Sequence, residues 1–428
     1  MKRCTRGSVL LLTLLVASAW ASEPLPDPLT LDDAIALADD SLPAVELARA
    51  QRDADAATLA EVESLNGVRL SAIGRLRAVR PSYLSPNRDN NDSSAQLLLR
   101  KRLYDFGYSD AREQAARLAG EGGEWRYLGA RQQTRLDIMQ RFFDVILADL
   151  QYAHDNEAMA LAFIDADRAR DRHELKRLSD VDLLAIEATY QESLRARMQS
   201  QAAQRATRSH LAIAMGRPGD LAPNVVRPSA PDTEVALPEY EALVEEIIAG
   251  NPELKALRAE VEASRSALEA ARNGHGPVLS AEMEASVYNR MTNSTHPLGA
   301  GLVLEVPLLT GGAKDAAIAA AGATMRQRSA QLAAAEHAMR QRVLELRLRL
   351  DDIKLFLAGL QVRSDYRELY LDRSRALYEL EVKTDLGDAM TEITAVMLDT
   401  ARAEFDWIMT KAELDALAGR LMPEEQTQ

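Results

Sequence analysis

The feature that most constrains this fold is an unbroken seven-residue spacing of apolar side chains between residues 313 and about 380. One apolar row repeats every seven positions, and a second row lies four positions further on. The two rows are Ile318, Met325, Leu332, Met339, Leu346, Ile353 and Leu360, and Val343, Leu350 and Leu357. Such a repeat predicts a helix that winds around neighbouring helices. At 1.5 Å per residue the rod is roughly 100 Å long, so it needs partner rods.

The N-terminus predicts export. Lys2, Arg3 and Arg6 precede a short apolar run, and Ala19-Trp20-Ala21 follows it, so residues 1–21 have the pattern of a secretory signal. The alternative, a transmembrane anchor, is weaker because the run is about half the length needed to cross a bilayer. The only cysteine, Cys4, falls within this signal. We therefore expect neither a disulfide nor a cysteine metal site in the mature chain.

Charge argues against nucleic acid as a partner. Removal of the signal leaves 48 basic residues of the original 51 against 65 acidic ones, a net charge of −17. After Val16 no run of about 20 apolar residues remains, so the sequence predicts no transmembrane helix. If the chain enters a membrane, it must do so as strands.

The chain contains an internal repeat. Residues 42–72 align with 251–281 at a shift of 209, and residues 103–197 match 308–402 at a shift of 205. We therefore predict a first copy at 22–215, a proline-rich connector at 216–237, a second copy at 238–421 and a tail at 422–428. Each copy reads as helix, helix, strand, strand, long helix, helix.

Four segments alternate between apolar and polar residues, as strands with two unlike faces do. They are residues 70–78 and 95–102 in the first copy and residues 279–287 and 298–305 in the second. Each is about the length that a tilted strand needs to cross a membrane. Four strands cannot close a barrel, and open edges in lipid are costly. Several chains must then share one barrel, and a trimer gives twelve strands. The alternative is a soluble hairpin packed on a coiled coil.

The long helix of the first copy has a weak point at Gly120, Gly122 and Gly123. Each glycine costs about 1 kcal/mol relative to alanine. The sequence leaves open whether these glycines break the rod.

Several of these features together resemble those of a known protein family. The signal, the tandem copies, the strand-to-helix turns at Gly107 and at Gly311-Gly312, and the helix starts at Ser179-Asp180-Val181 and Thr384-Asp385 are similar to those of the TolC-like outer-membrane efflux proteins. The resemblance covers residues 29–421, and its specific part is the order and duplication of the motifs.

The resemblance implies a mainly α fold with a small β part. It implies a long α-helical coiled-coil barrel with four transmembrane strands per chain, which form a shared 12-stranded β-barrel in a homotrimer. The location implied is the outer membrane, in contact with its lipid, with most of the chain in the periplasm. The implied function is that of a passive exit duct in a tripartite efflux or type I secretion system. The implied partners are a periplasmic adaptor (membrane fusion) protein and an inner-membrane RND or ABC transporter.

The resemblance also implies a gate at the periplasmic end. In the family, acidic residues at the second-copy helix turn ring the constriction, and their spacing matches Asp385 and Asp388. Such a ring would favour cations. The equivalent first-copy turn carries Asp180 and Asp182. Alternatively, Asp385 caps its helix and Asp388 is favoured by the helix dipole.

Two basic residues near this turn, Arg375 and Lys383, are candidates for ion pairs that hold the gate shut. Charges at helix ends are more often simply solvated.

We find no catalytic pattern, and we expect no enzyme, cofactor or metal site. The six histidines lack metal-ligand spacing, and no glycine-rich phosphate loop is present. The rival function is a periplasmic coiled-coil scaffold or adaptor without a pore. An adaptor needs flanking all-β domains around one helical hairpin, whereas this chain has two equal halves. The sequence names neither the substrate nor the pump.

Overall fold

The structure is a computed structural model that describes residues 24–37, 42–235, 238–292, 295–380 and 386–421. The predicted signal and tail lie outside the described residues, as do Lys383 and Asp385. The helices are α1 (Leu31–Ala36), α2 (Pro43–Ser64), α3 (Tyr108–Glu174), α4 (Asp180–Ala214), α5 (Tyr240–Gly250), α6 (Pro252–Asn273), α7 (Ala313–Glu379) and α8 (Leu386–Leu417). The strands are β1 (Val68–Arg75), β2 (Ser94–Tyr104), β3 (Val278–Tyr288) and β4 (Leu298–Glu305).

Two long helices dominate the molecule. α3 and α7 each contain 67 residues, which corresponds to roughly 100 Å. The helix predicted over 313–380 is confirmed as α7. α3 is also continuous, so the glycine cluster does not break it.

The glycines in α3 instead permit close packing of the helices on either side. A Cβ atom at Gly123 would lie 2.6 Å from Asp55 Oδ2 of α2, and one at Gly122 would lie 3.3 Å from the Ala256 carbonyl oxygen of α6. The intrinsic helix penalty of these residues is thus accompanied by a close approach of the neighbouring helices, which a Cβ atom at either position would crowd.

The shorter helices stack end to end beside the long ones. The junction of α2 and α4 is tight, because a Cβ atom at Gly216 would lie 3.0 Å from Leu42 Cδ2. At the junction of α6 and α8, Asn251 Nδ2 donates a hydrogen bond to the Leu417 carbonyl oxygen over 3.0 Å. The helical layer therefore has the order α2/α4, α3, α6/α8, α7.

Glycine determines where the two stacked helices end. Gly216 and Gly419 both take positive φ, and each closes its helix with the paired backbone hydrogen bonds of a Schellman motif. α8 therefore ends at Leu417, before the predicted end of the second copy at residue 421. Apolar periodicity alone missed this stop signal.

Two apolar clusters hold the layer together. The first joins α1, α3, α4 and α8, and in it Phe143 stacks on Phe405 with ring centroids 4.4 Å apart. The second joins α5, α6, α7 and α8 around Leu346 and Leu350. In this second cluster the residues of the predicted heptad rows face their own chain.

The four strands form one antiparallel sheet in the order β1, β2, β3, β4. The pairing of β2 with β3 joins the two copies, with Leu97 opposite Ala285 and Leu99 opposite Met283. β1 ends at Arg75 rather than at the predicted Ala78. The ladder is interrupted there, and pairing resumes as an isolated bridge between Ala78 and Asn91.

Candidate functional site

The residues singled out by the sequence lie at the two ends of the molecule, in the helix turns at one end and in the sheet and its turns at the other. At the first-copy helix turn, α3 ends in a Schellman motif. Arg177 N–H donates to the Arg172 carbonyl and Lys176 N–H to the His173 carbonyl, both over 2.8 Å. Lys176 has φ of +54°, in a position that usually belongs to glycine.

Asp180 and Asp182 serve this first-copy turn as local hydrogen-bond partners. Ser179 caps α4, because its hydroxyl accepts a 3.2 Å bond from Asp182 N–H and donates a 2.7 Å bond to Asp182 Oδ2. Asp180 Oδ1 lies 2.6 Å from His173 Nε2 across the turn. At this turn the helix cap is therefore Ser179, and Asp180 and Asp182 make local contacts beside it.

At the second-copy turn the described residues begin at the start of α8. Asp388 is exposed in its first turn. Gly387 lies against α3, since a Cβ atom there would meet Leu161 Cδ1 at 2.5 Å. Arg375 Nη1 lies 3.9 Å from Asp372 Oδ1, an exposed pair within α7. The gate ring of Asp385 and Asp388, and the ion pairs of Arg375 and Lys383, stay predictions.

A cleft of about 630 Å³ opens between α3, α4 and α8 beside Asp388. Its charged lining comes from Asp165 and Arg172 of α3 and from Asp388 and Glu392 of α8. Asp388 therefore lies where the second copy meets the first. The sequence did not predict this juxtaposition, because the α3 and α8 residues are about 220 positions apart and no local spacing links them.

The sequence also did not predict a series of ion pairs along the seam between α7 and α8. α7 supplies the arginines and α8 the carboxylates. The shortest nitrogen-to-oxygen distances are 2.8 Å for Arg367–Glu392, 3.4 Å for Arg363–Asp399, 3.4 Å for Arg349–Asp406 and 2.6 Å for Arg342–Glu413. Hydrogen bonding to Glu413 raises the pKa of Arg342 above its ordinary value, against the opposing effect of burial. The first-copy seam has a different arrangement, in which Arg208 of α4 forms two 2.8 Å bonds to Asp149 of α3.

The strand-to-helix turns contain the predicted glycines. Gly107 and Gly312 precede α3 and α7 with φ of +87° and +86°. The preceding residues, Phe106 and Gly311, also have positive φ, +55° and +59°. Two successive left-handed residues make this turn, which explains why the sequence places glycine there.

The first-copy turn is braced by a buried carboxylate, Asp105. The Ser109 backbone N–H donates to Asp105 Oδ2 over 3.1 Å, the Ser109 hydroxyl donates to the same oxygen, and Arg102 Nη1 lies 3.1 Å away. Burial raises the pKa of Asp105, but the bonds from Ser109 and Arg102 together outweigh this effect and leave it below its ordinary value.

The sheet exposes an apolar face. The register aligns Leu70, Leu99, Met283 and Ala300 in one row and Ala72, Leu97, Ala285 and Leu298 in the next. Leu70, Leu298 and Leu302 are each about two-thirds exposed or more. The other face carries polar residues, with Arg100 Nε 2.6 Å from Glu282 Oε1. β1 and β4 are edge strands of this sheet.

No helix in the described ranges is long and apolar enough to span a bilayer. Across the same ranges, no three His, Cys, Asp or Glu side chains are grouped so that they could hold a metal ion.

Comparison with known proteins identifies the fold. Residues 243–420 match the model of a family described as outer membrane efflux protein. A solved membrane protein from Pseudomonas aeruginosa is 16% identical, with a TM-score of 0.74 over 96% of this chain and 94% of its own. The Campylobacter jejuni CmeC outer membrane channel is 13% identical, with a TM-score of 0.74 over 100% and 95%. The outer membrane protein VceC from Vibrio cholerae is 14% identical, with a TM-score of 0.71 over 92% and 97%.

No curated protein sequence matches the chain. At these low identities the solved structures establish the fold, and the family match covers residues 243–420. The mainly α fold with a small β part is confirmed as TolC-like. The resemblance to the TolC-like outer-membrane efflux proteins, and the outer-membrane location that it implies, with most of the chain in the periplasm, are thereby confirmed.

Proposed function

We propose that three copies of this chain form a channel-tunnel, the passive exit duct of a tripartite efflux or type I secretion system. One observation carries the proposal: the sheet and the helical layer are left open along the same two edges. β1 and β4 are the edge strands of the sheet. On the same two sides of the molecule, α2/α4 and α7 are the edges of the helical layer.

The edge at α7 is apolar. Leu348, Leu355, Val362 and Leu369 repeat every seven residues along α7, and each is 58% exposed or more. This row is distinct from the heptad residues that face the chain's own core. An exposed heptad row of this length is typical of a helix that packs against a partner helix.

The opposite edge offers a complementary partner. On α4, Val181, Leu184 and Met198 are each at least half exposed, and Leu184 and Met198 are two heptads apart. Because the two edges differ, contact between copies is head-to-tail. Such contacts produce a closed ring when the rotations between successive copies add up to a full turn.

Three copies are the number that best fits a duct. Two copies would give eight strands, and the interior of such a barrel is filled by its own side chains. Three copies give twelve strands and a helical wall with the same symmetry. The apolar sheet face then meets lipid, and the polar face with Arg100 and Glu282 lines the pore.

A passive duct supplies no energy for export. That energy comes from an inner-membrane RND or ABC transporter, which the duct contacts through a periplasmic adaptor. The gate belongs at the periplasmic helix turns, with Asp385 and Asp388 as its acidic ring. The adaptor-like scaffold is the less favoured function, because the family match is to an efflux protein of the outer membrane.

The proposal is tested by extracting the full-length protein from outer membranes and measuring its assembly and conductance. We expect a heat-modifiable trimer that forms channels in planar bilayers. Leu355→Ser with Val362→Ser should shift the protein from trimer to monomer. The matched control is Gln361→Ser with Glu368→Ser, which changes exposed α7 residues outside the apolar row. A soluble periplasmic monomer without channel activity would contradict the proposal and favour the scaffold.

A further inference from the structure

The connections at the far end of the sheet form one loop surface. They are residues 76–93 between β1 and β2 and, of the segment between β3 and β4, residues 289–292 and 295–297, here called the outer loops. Asn289 N–H donates to the Ser93 carbonyl oxygen over 3.0 Å, and Asn87 Nδ2 donates to the Met291 carbonyl oxygen over 3.3 Å. All long helices attach to the opposite end of the sheet.

The outer loops carry a net positive charge, opposite in sign to that of the whole chain. They hold four arginines, Arg77, Arg80, Arg88 and Arg290. Only two acidic residues, Asp89 and Asp92, lie in the same loops, which gives them a net charge of +2 in a chain whose net charge is −14. Solubility alone does not call for such a local reversal, and a basic patch of this kind attracts anions.

The internal ion pairs leave most of this positive charge uncompensated. Asp92 is shared, because its carboxylate lies 3.6 Å from Arg77 Nε and 3.9 Å from Arg290 Nη1. Arg290 is largely buried and holds the loops together by donating to Ser85 Oγ over 2.7 Å and to the Asn87 carbonyl oxygen. Arg77, Arg80 and Arg88 are exposed.

Large apolar side chains lie beside these arginines. Tyr83 and Leu84 are 79% and 75% exposed, and Arg88 Nη2 donates to the Tyr83 carbonyl oxygen over 3.1 Å. A soluble anion needs no apolar neighbour. A lipid surface provides both a charged headgroup for guanidinium groups and apolar chains for the adjacent rings and aliphatic groups.

We propose that the outer loops bind the phosphate groups of the outer-leaflet lipid of the membrane in which the duct resides. Arg80 and Arg88 are the phosphate contacts, since guanidinium groups bind phosphate oxygens in bidentate geometry. Tyr83 and Leu84 enter the boundary between headgroups and acyl chains. The inference rests on the proposed function, because that orientation points the outer loops away from the periplasm.

The test measures lipid binding to the purified full-length trimer in detergent. The probe is diphosphorylated lipid A, compared with the same lipid after dephosphorylation and with inorganic phosphate alone. We expect the phosphorylated lipid to bind and to raise the melting temperature of the trimer. Arg80→Gln with Arg88→Gln should weaken its binding about thirtyfold, about fivefold for each charge near a lipid surface.

Two control variants make the result specific. Arg80→Lys with Arg88→Lys keeps the charge but loses the bidentate geometry, so its binding should lie between that of the unmodified protein and that of the Gln variant. Arg117→Gln with Arg265→Gln removes two exposed charges from α3 and α6 and should leave binding unchanged. Equal binding of the dephosphorylated lipid would overturn the proposal. Competition by millimolar inorganic phosphate would overturn it as well, because the site would then take a soluble anion.

Conductance of the same preparations separates this inference from the proposed function. A trimer that conducts but does not distinguish the two lipids contradicts only the lipid site. Failure to form a conducting trimer in the unmodified protein contradicts the duct itself.

Discussion

The two copies have the same order of elements and long helices of equal length, yet the copies occupy different environments. α3 buries fifteen residues along its length and α7 only eight. The difference arises because β2 pairs with β3, which brings the second copy against α3 and leaves α7 at an edge. A repeated sequence thus produced one central rod and one edge rod whose apolar row is exposed.

The largest expected effect tests the contrast between the central and edge rods. Phe143→Ala removes a fully buried ring stacked on Phe405 and should destabilise the fold by about 3–5 kcal/mol. Phe356→Ala on α7 removes a ring that is 53% exposed and should cost far less. Thermal denaturation of both variants in detergent measures the difference. Equal losses would contradict the contrast between the two rods.

The second prediction compares the two helix turns. Asp385→Ala with Asp388→Ala should weaken the block of single channels by cations about tenfold or more, which corresponds to about 1.4 kcal/mol of lost attraction. Asp180→Ala with Asp182→Ala, at the first-copy turn, should leave the block unchanged. Single-channel recording with added divalent cations gives the measurement. If both pairs alter the block equally, the gate does not belong to the second copy alone.

The third prediction compares the two strand-to-helix turns. Asp105→Asn should cost about 1–3 kcal/mol because it weakens the bonds to Ser109 and Arg102 in a buried site. Thr310→Ala, at the equivalent second-copy position, should have a smaller effect.

The dependence of the protein's stability on pH provides a separate test of Asp105. Its pKa is lowered in the folded protein, so the carboxylate contributes stability above its unfolded pKa of about 3.9 and loses it as the pH falls through the lower folded value. The unmodified protein should lose this contribution below about pH 4, and the Asn variant should lack that component. Melting temperatures across pH 2–6 would show it, and identical curves for both proteins would exclude the brace.

The smallest effect concerns residues held in left-handed backbone conformations. Lys176→Gly should stabilise the end of α3 by up to about 1 kcal/mol, since glycine takes positive φ without a Cβ clash. Gly312→Ala at the start of α7 should destabilise by about 1–2 kcal/mol for the same reason. Chemical denaturation of the two variants should give shifts of opposite sign, and shifts of the same sign would refute the backbone argument.

Much of this architecture was predictable because it depends on local periodicity. The seven-residue rows predicted α7 to within a residue of its end, and the two-residue alternation located all four strands with errors only at their ends. The same rows did not reveal that Val343 and Leu346 face the chain's own core while Leu355 and Val362 face outward. A helix has several faces, and spacing alone does not say which partner covers each one.

The sequence by itself determined long rods, amphipathic strands and the glycine turns that connect them, because helix period, strand alternation and positive φ are properties of neighbouring residues. Tertiary structure alone decided that Gly122 and Gly123 lie against α6 and α2, that Asp388 borders a cleft shared with α3, and that the arginines of α7 pair with carboxylates of α8. Those contacts join residues that no local spacing links, and the ones between the two copies depend on the pairing of β2 with β3, which fixes which rods become neighbours.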